Sequence, residues 1–457
     1  MNKIKFKIFN ALIALPIATI FLSSCSLDIS NPLVFANFES YMSLDLQKRL
    51  LNNFKDLRFD YYASNENIIT NFKNGTYSIG DASTYAVIEL IKQDQLVPLN
   101  WSIFNLKNPI TKESILTAND ALSLFIPSVQ KILTGYSNLG ISNLLEYCVP
   151  YFLQTYIFAY RGDKISFQPN SNWDTILNVI GSNSAKFDSS KLGAVEDQRT
   201  LFSVANLVNS DQNMISVNPS SDTNLKPSIN DYINIYKNLS NGKKINKSTL
   251  GTNPEPIFLN SDSSIILNKL AIGSLNGAML FNGDAIFAAQ GGENSLNNLP
   301  TSQNFHFVIP SFTPIALDCL VINKTNQINN KKRLEDVYDI IKTITLEGTD
   351  SNNPDEFETL ENNIYKYGPM LNFSFVQYTS PLQIISGQEP NINSVVYTNN
   401  YFQNEKDPNL SEAIKMAYSV NVPIETDITN LVEAPLNAWQ KQTIINAYLR
   451  FKNTEWS

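Results

Sequence analysis

From residue 33 onward, short apolar runs alternate with stretches whose apolar positions recur every three or four residues. That is the pattern of strands alternating with amphipathic helices. Leu33 to Asn37 reads as a buried strand. Ser43 then stands where it can cap a helix carrying Leu46, Leu50, Leu51 and Phe54 at helical spacing. Leu57 to Tyr62 reads as a second strand, and Ser83 precedes a helix with Val87, Leu90 and Ile91 on one side. Farther along, Asp197 is placed as the N-cap of a helix holding Leu201, Val204, Ala205 and Val208 in register. Ala278 to Phe281 reads as a strand closed by the turn signal Asn282-Gly283, with Asp284 ahead of Ala285 to Gln290. Leu334, Val337, Ile340, Ile341 and Ile344 mark another helix, and residues 435 to 452 a last one. Residues 209 to 266 are rich in Asn, Ser, Asp, Pro and Lys and read as long loops with one helix around Tyr232 to Leu239.

The start of the chain has a different character. Lys3, Lys5 and Lys7 precede an almost wholly apolar run from Ile8 to Leu22, as a secretory signal requires. The run closes on Leu22-Ser23-Ser24-Cys25, which resembles the bacterial lipobox. Residues 1–24 are therefore expected to be a signal peptide, Cys25 the acylated anchor in the bilayer, and residues 25–32 its tether. Two or more acyl chains give stable attachment where one is marginal. The expected location is the cell membrane, lipid-anchored and facing away from the cytoplasm.

Composition removes several kinds of chemistry. The chain has 457 residues, 34 basic and 42 acidic side chains and a formal charge of −8. No basic cluster beyond Lys331, Lys332 and Arg333 offers a face to nucleic acid. The single histidine, His306, lies in a strand-like His-Phe-Val-Ile run, so an HExxH zinc site is absent and a catalytic triad would need this one residue. Neither G-x-x-x-x-G-K-[ST] nor G-x-G-x-x-G occurs, so no phosphate cradle is visible. No cofactor, no metal and no catalysis are expected. Cys148 and Cys319 have apolar neighbours and read as buried thiols.

An open α/β sheet places its ligand at the carboxyl ends of strands. The residues that follow the strands are Phe38, Glu39 and Tyr41; Ser83 and Tyr85; Asp197; Phe281 and Asp284. Asp318 lies inside a buried run between Leu317 and Cys319, where an unpartnered carboxylate is costly. Aromatic faces attract ammonium groups and carboxylates accept their protons, so this set suits an organic cation.

Several blocks, in order, resemble the spermidine/putrescine-binding lipoproteins of bacterial polyamine ABC importers, members of the two-lobed periplasmic-binding-protein superfamily. Val34-Phe35-Ala36-Asn37-Phe38-Glu39-Ser40-Tyr41 resembles that family's first strand and N-W-x-x-Y ending, with Phe38 in place of tryptophan. Asp81-Ala82-Ser83-Thr84-Tyr85 resembles its P-S-T-Y turn, and Tyr147-Cys148-Val149-Pro150-Tyr151 its Y-x-x-P-Y strand. Glu196-Asp197-Gln198-Arg199-Thr200 resembles D-D-x-R-E with Thr200 at the glutamate position. Met279 to Asp284 resembles M-x-W-N-G with Phe281 for tryptophan, and Pro314 to Leu320 resembles the W-x-D strand with Ala316 for tryptophan.

The resemblance implies a type II-like α/β fold with a hinge and an interlobe cleft. The expected lobes are 33–162 plus 317–370 and 163–316 plus 371–457. Phe38, Glu39, Tyr41, Ser83, Tyr85, Asp197, Thr200, Phe281, Asp284 and Asp318 would meet a polyamine, and a monomeric protein would deliver it to a membrane permease. Two further readings of the residues stay open at this point: another cation such as thiamine, or a surface lipoprotein that keeps the scaffold for adhesion or structure.

Overall fold

The run Cys148-Val-Pro-Tyr-Phe-Leu-Gln-Thr-Tyr-Ile-Phe-Ala-Tyr-Arg161 is apolar at almost every position and buried on both faces. A strand of that kind belongs in the middle of a covered sheet. The computed structural model describes residues 32–62, 64–168, 170–208, 228–242, 244–245, 257–291, 305–327, 330–351, 353, 365–388, 394–397, 408–420, 432 and 435–456. The expected signal peptide, Cys25 and most of the tether lie outside the described residues.

In chain order the strands are β1 (Leu33–Phe38), β2 (Leu57–Tyr62), β3 (Ile79–Ser83), β4 (Leu106–Lys107), β5 (Ser114–Ile115), β6 (Cys148–Arg161), β7 (Leu192–Val195), β8 (Phe258–Asn260), β9 (Gly277–Phe281), β10 (Phe305–Val308) and β11 (Ile315–Ile322). β4 and β5 form a small hairpin. The others form one sheet in the order β2-β1-β3-β11-β6-β9-β7-β8, with β10 also on β6. β1, β2 and β3 are mutually parallel, as are β7, β8 and β9. β11 and β6 run antiparallel between these two halves. The expected α/β class and two-lobed fold are what the sheet shows.

β6 changes partners within its own length. It pairs β11 through Thr155 and β9 from Tyr156 onward. The expected lobe boundary between residues 162 and 163 lies just past the end of this strand. The helix Gly368–Val376, within which the second expected boundary falls, packs on the helices Lys331–Thr345 and Leu44–Asn53 of the first half and on Asn282–Ala289 of the second. Its Asn372 side chain accepts from the Ser43 amide at 3.0 Å.

Several local expectations need correction. Ser43 and Ser83 stand at helix N-termini, yet neither side chain caps its helix. Asn282-Gly283 is not a turn, because the helix Asn282–Ala289 starts there directly from β9. Asn282 is buried and its side chain accepts from the Thr155 amide and donates to Thr379 and to the Ala417 carbonyl. Gly283 is needed because the Tyr378 ring lies where a Cβ would be. The stretch read as loops over 209–266 contains β8 and the start of the helix Ser263–Ala271, together with the helix Ile229–Tyr236.

The helix Asn65–Lys73 packs so closely on β3 that a Cβ at Gly80 would stand 2.7 Å from Phe72 Cε2. Overpacking of this kind costs about 1–3 kcal/mol. Gly80→Ala is expected to lower stability by that amount in equilibrium urea unfolding. An unchanged midpoint would mean that helix and strand are not in this contact.

Candidate functional site

The parallel strands of both halves end at the same place. β1, β2 and β3 from one side and β7, β8 and β9 from the other deliver their carboxyl ends to a cleft of about 870 Å³. All ten residues singled out from sequence line it: Phe38, Glu39, Tyr41, Ser83, Tyr85, Asp197, Thr200, Phe281, Asp284 and Asp318. The single histidine and the two buried thiols do not. His306 is on β10, with its ring nitrogen 2.9 Å from the Gly162 carbonyl, and Cys148 and Cys319 are free.

Asp318 is the most deeply buried acid of the lining, at 2% exposure. It sits opposite Ser83 in the β3–β11 ladder, and the Ser83 hydroxyl donates to its Oδ1 at 2.6 Å. The pairing of β11 with β6 slips immediately after Asp318, so that Phe152 faces Asp318 while Pro150 faces Cys319. Such a bulge accommodates a proline within a strand and re-aims side chains near sites. Gln154, the lone amide in the apolar run of β6, faces Ala316 across the strands. The small alanine leaves its amide room to donate to Asp318 Oδ2 at 2.5 Å and to the Tyr41 hydroxyl at 2.7 Å.

Asp284 is the counterpart from the second half. The Tyr378 hydroxyl donates to its Oδ1 at 3.0 Å. Burial raises the pKa of both carboxyls to about 6, despite hydrogen bonds that oppose the shift. Beneath Asp318, the wholly buried Asp81 is raised well above the carboxylate range, by burial first and by the charge of Asp318 second. Among the described residues no lysine or arginine is close enough to lower either Asp284 or Asp318.

The remaining positions divide by role. Asp197 accepts from the Thr200 amide at 2.6 Å and thus caps the helix Gln198–Val208, while Thr200 is buried inside that helix. The rings of Tyr62, Phe38, Tyr41 and Tyr378 form a continuous row with centroids 4.7, 5.2 and 5.4 Å apart. Phe281 packs edge-on to Tyr156 at 5.3 Å. Tyr85 is different, because its face is covered by the Arg199 guanidinium at 3.7 Å.

Sequence reasoning missed several lining residues. Glu66, Gln154, Arg199, Asp262, Tyr378 and Lys441 all contribute, and Val432, Leu436, Ile444 and Ile445 add an apolar wall from the end of the chain. Gln154 had a signal, as an isolated amide in a strand-length apolar run. Asp262 follows β8 as Asp197 follows β7, but its strand was hidden in a polar stretch. Six carboxyl side chains line the cleft against two cationic ones, Arg199 and Lys441.

Two parallel half-sheets joined through an antiparallel strand pair, with a cleft across the strand ends, define the two-lobed fold of periplasmic binding proteins. The model of the hypothetical lipoprotein family MG045 matches residues 1–401. The chain belongs to that family. Its fold is similar to the spermidine/putrescine ABC transporter substrate-binding protein PotD of Streptococcus pneumoniae, with 14% identity, TM-score 0.53 and coverage of 93% of this chain and 99% of that one. It is also similar to the PotD lipoprotein of Treponema pallidum, with 14% identity, TM-score 0.53 and coverage of 92% and 99%. The thiaminase I of Clostridium botulinum, solved with thiamin, shares 14% identity at TM-score 0.50, covering 92% of this chain and 100% of that one. No curated protein matches this chain by sequence.

The shifted carboxyls make a signed prediction. The folded chain keeps the Asp318 proton between about pH 4 and 6, a window in which an unfolded aspartate has already released it. The contribution of Asp318 to stability is therefore best below pH 4 and declines as pH rises past 6, by on the order of 3 kcal/mol. Asp318→Asn removes that charge while leaving an oxygen for one donor. Relative to the unsubstituted chain it is expected to gain about 1–2 kcal/mol at pH 7.5 and little at pH 4. Paired urea titrations at the two pH values check this, and equal differences at both would contradict it.

Proposed function

We propose that this protein is the extracytoplasmic solute-binding lipoprotein of an ABC importer and that it holds an organic cation between its two lobes, with spermidine and putrescine as the first ligands to test. The observation that carries the reading is the pair of buried acids, Asp318 and Asp284. Both face the cleft, both are raised to about 6 by burial, and among the described residues no cation of the protein relieves either. An ammonium group placed between them restores the charged form and is strengthened by the low local dielectric. The row of rings beside them supplies faces for the same charge. Closure of the lobes around the ligand would present one shape to the permease, with acylated Cys25 holding the protein at the membrane.

The apolar wall formed by Ile315, Val432, Leu436, Ile444 and Ile445 favours a second reading. A cation with an apolar ring, such as thiamine, would use that wall where a linear polyamine would not.

Titration calorimetry of the full chain in detergent distinguishes these. Spermidine or putrescine is expected to bind, and Asp318→Asn to weaken binding at least tenfold, since a charge-assisted hydrogen bond contributes about 1.5–3 kcal/mol. Heat with thiamine alone would replace the polyamine assignment. No heat with spermidine, putrescine, thiamine or amino acids would favour a surface protein that keeps the scaffold for adhesion or structure.

A further inference from the structure

Arg199 starts in the second half, in the first turn of the helix that follows β7, and ends in the first. Its guanidinium carbon lies 3.7 Å from the centroid of Tyr85, in the helix Thr84–Lys92 that follows β3. Its Nη1 is 3.8 Å from Glu66 Oε1, in the helix Asn65–Lys73 that follows β2. The Arg199 side chain is 14% exposed and that of Glu66 45%. A second cation makes the same crossing nearby: Lys441 of the helix Ala438–Phe451 reaches Glu89 Oε2 at 3.2 Å.

A planar cation over an aromatic face with a carboxylate alongside is the arrangement a bound ammonium or guanidinium ligand would adopt. Here the protein supplies the cation itself. We infer that Tyr85 and Glu66 form a cation subsite of the first lobe which Arg199 of the second lobe fills from within, so that Arg199 latches the lobes together and competes with any ligand cation that uses this face. The inference rests on the cation-binding reading only for the competition. The latch stands on contacts between the two halves. A small organic cation entering this subsite must displace the guanidinium, and a ligand that reaches only Asp318 and Asp284 leaves it in place.

The test separates the two parts. Spin labels on cysteines placed at the exposed Asn52 and Ser182, one in each half, report the separation of the lobes in the full chain with Cys25→Ser. Without added ligand, Arg199→Met and Glu66→Gln are both expected to shift the distance distribution to longer values, and Arg199→Lys to shift it less, since lysine lacks the planar fork. Coincident distributions for all four proteins, with melting curves showing each folded, would overturn the latch. Against spermidine, Arg199→Met is expected to bind about tenfold more tightly, the loss of one competing cation–π contact and a weak ion pair. Weaker binding by Arg199→Met would overturn the competition, the loss of the latched state then outweighing any gain from the vacated subsite. Absence of spermidine, putrescine and thiamine binding in every variant, with the distance shifts intact, would reject the cation reading and keep the latch.

Discussion

The arrangement turns on one buried carboxylate held in the middle of a sheet with no counter-ion among the described residues. Taking the charge of Asp318 out of water is costly, and two hydrogen bonds from neutral donors offset only part of that cost. The surroundings are fixed by it. Ser83 is spent on Asp318 and on Asn65, whose amide donates to its oxygen at 3.1 Å, and so is not available to cap its helix. Gln154 is drawn inward over Ala316, and Tyr41 is fixed in turn by Gln154 and by Tyr151, which donates to its carbonyl at 2.6 Å. The result is a rigid acceptor whose charged form is disfavoured until something positive arrives.

Whether the cleft as a whole is negative is not decided by counting acids alone. Five helices begin at the cleft, those starting at Asn65, Thr84, Gln198, Ser263 and Asn282. Each N-terminus carries about half a positive charge. Left bare, these ends would favour an anion, as strand-end sites in α/β folds often do. Here Asp197 caps one, Asp262 caps another by accepting from the Ser264 amide at 2.9 Å, and Asp284 lies in the first turn of a third. Glu66 lies in the first turn of a fourth, whereas the helix beginning at Thr84 has neither a side-chain cap nor an acid in its first turn. Arg199 and Lys441 are in turn set against Glu66 and Glu89.

Much of this was legible in the sequence because it is local. Strand ends follow from where apolar runs stop, and a carboxylate flanked by Leu317 and Cys319 announces its own need for partners. The helix Gln198–Val208 and its Asp197 cap follow from period and position. What was not legible is set by contacts between distant segments. Asn282-Gly283 has the composition of a turn, but Tyr378, far along the chain, presses on it and the helix begins there instead. Ser43 and Ser83 have the right chemistry for caps, but the Ser83 hydroxyl is diverted to Asp318, and at Ser43 it is the backbone amide that is held, by Asn372. The partner switch in β6 leaves no mark in composition, because both halves of the strand are equally buried. β8 is three residues long and intermediate in burial, too short for any periodicity to show.

The crossing cations bear on which ligands the cleft can hold. A contact between Arg199 and Tyr85 contributes about 0.5–2 kcal/mol, and the half-exposed pair with Glu66 less than about 1. A monovalent ammonium that takes the same face replaces one cation by another and gains little there. A ligand with two or more charges changes the comparison, since one end can meet Asp318 or Asp284, where no protein cation competes, while the other displaces the guanidinium. The first contact supplies the free energy that the second alone does not. If the proposed cation reading holds, the cleft would discriminate by the number and spacing of positive charges more than by shape, and the thinning of its aromatic wall at Ala316 would matter less than the retention of acids in both halves.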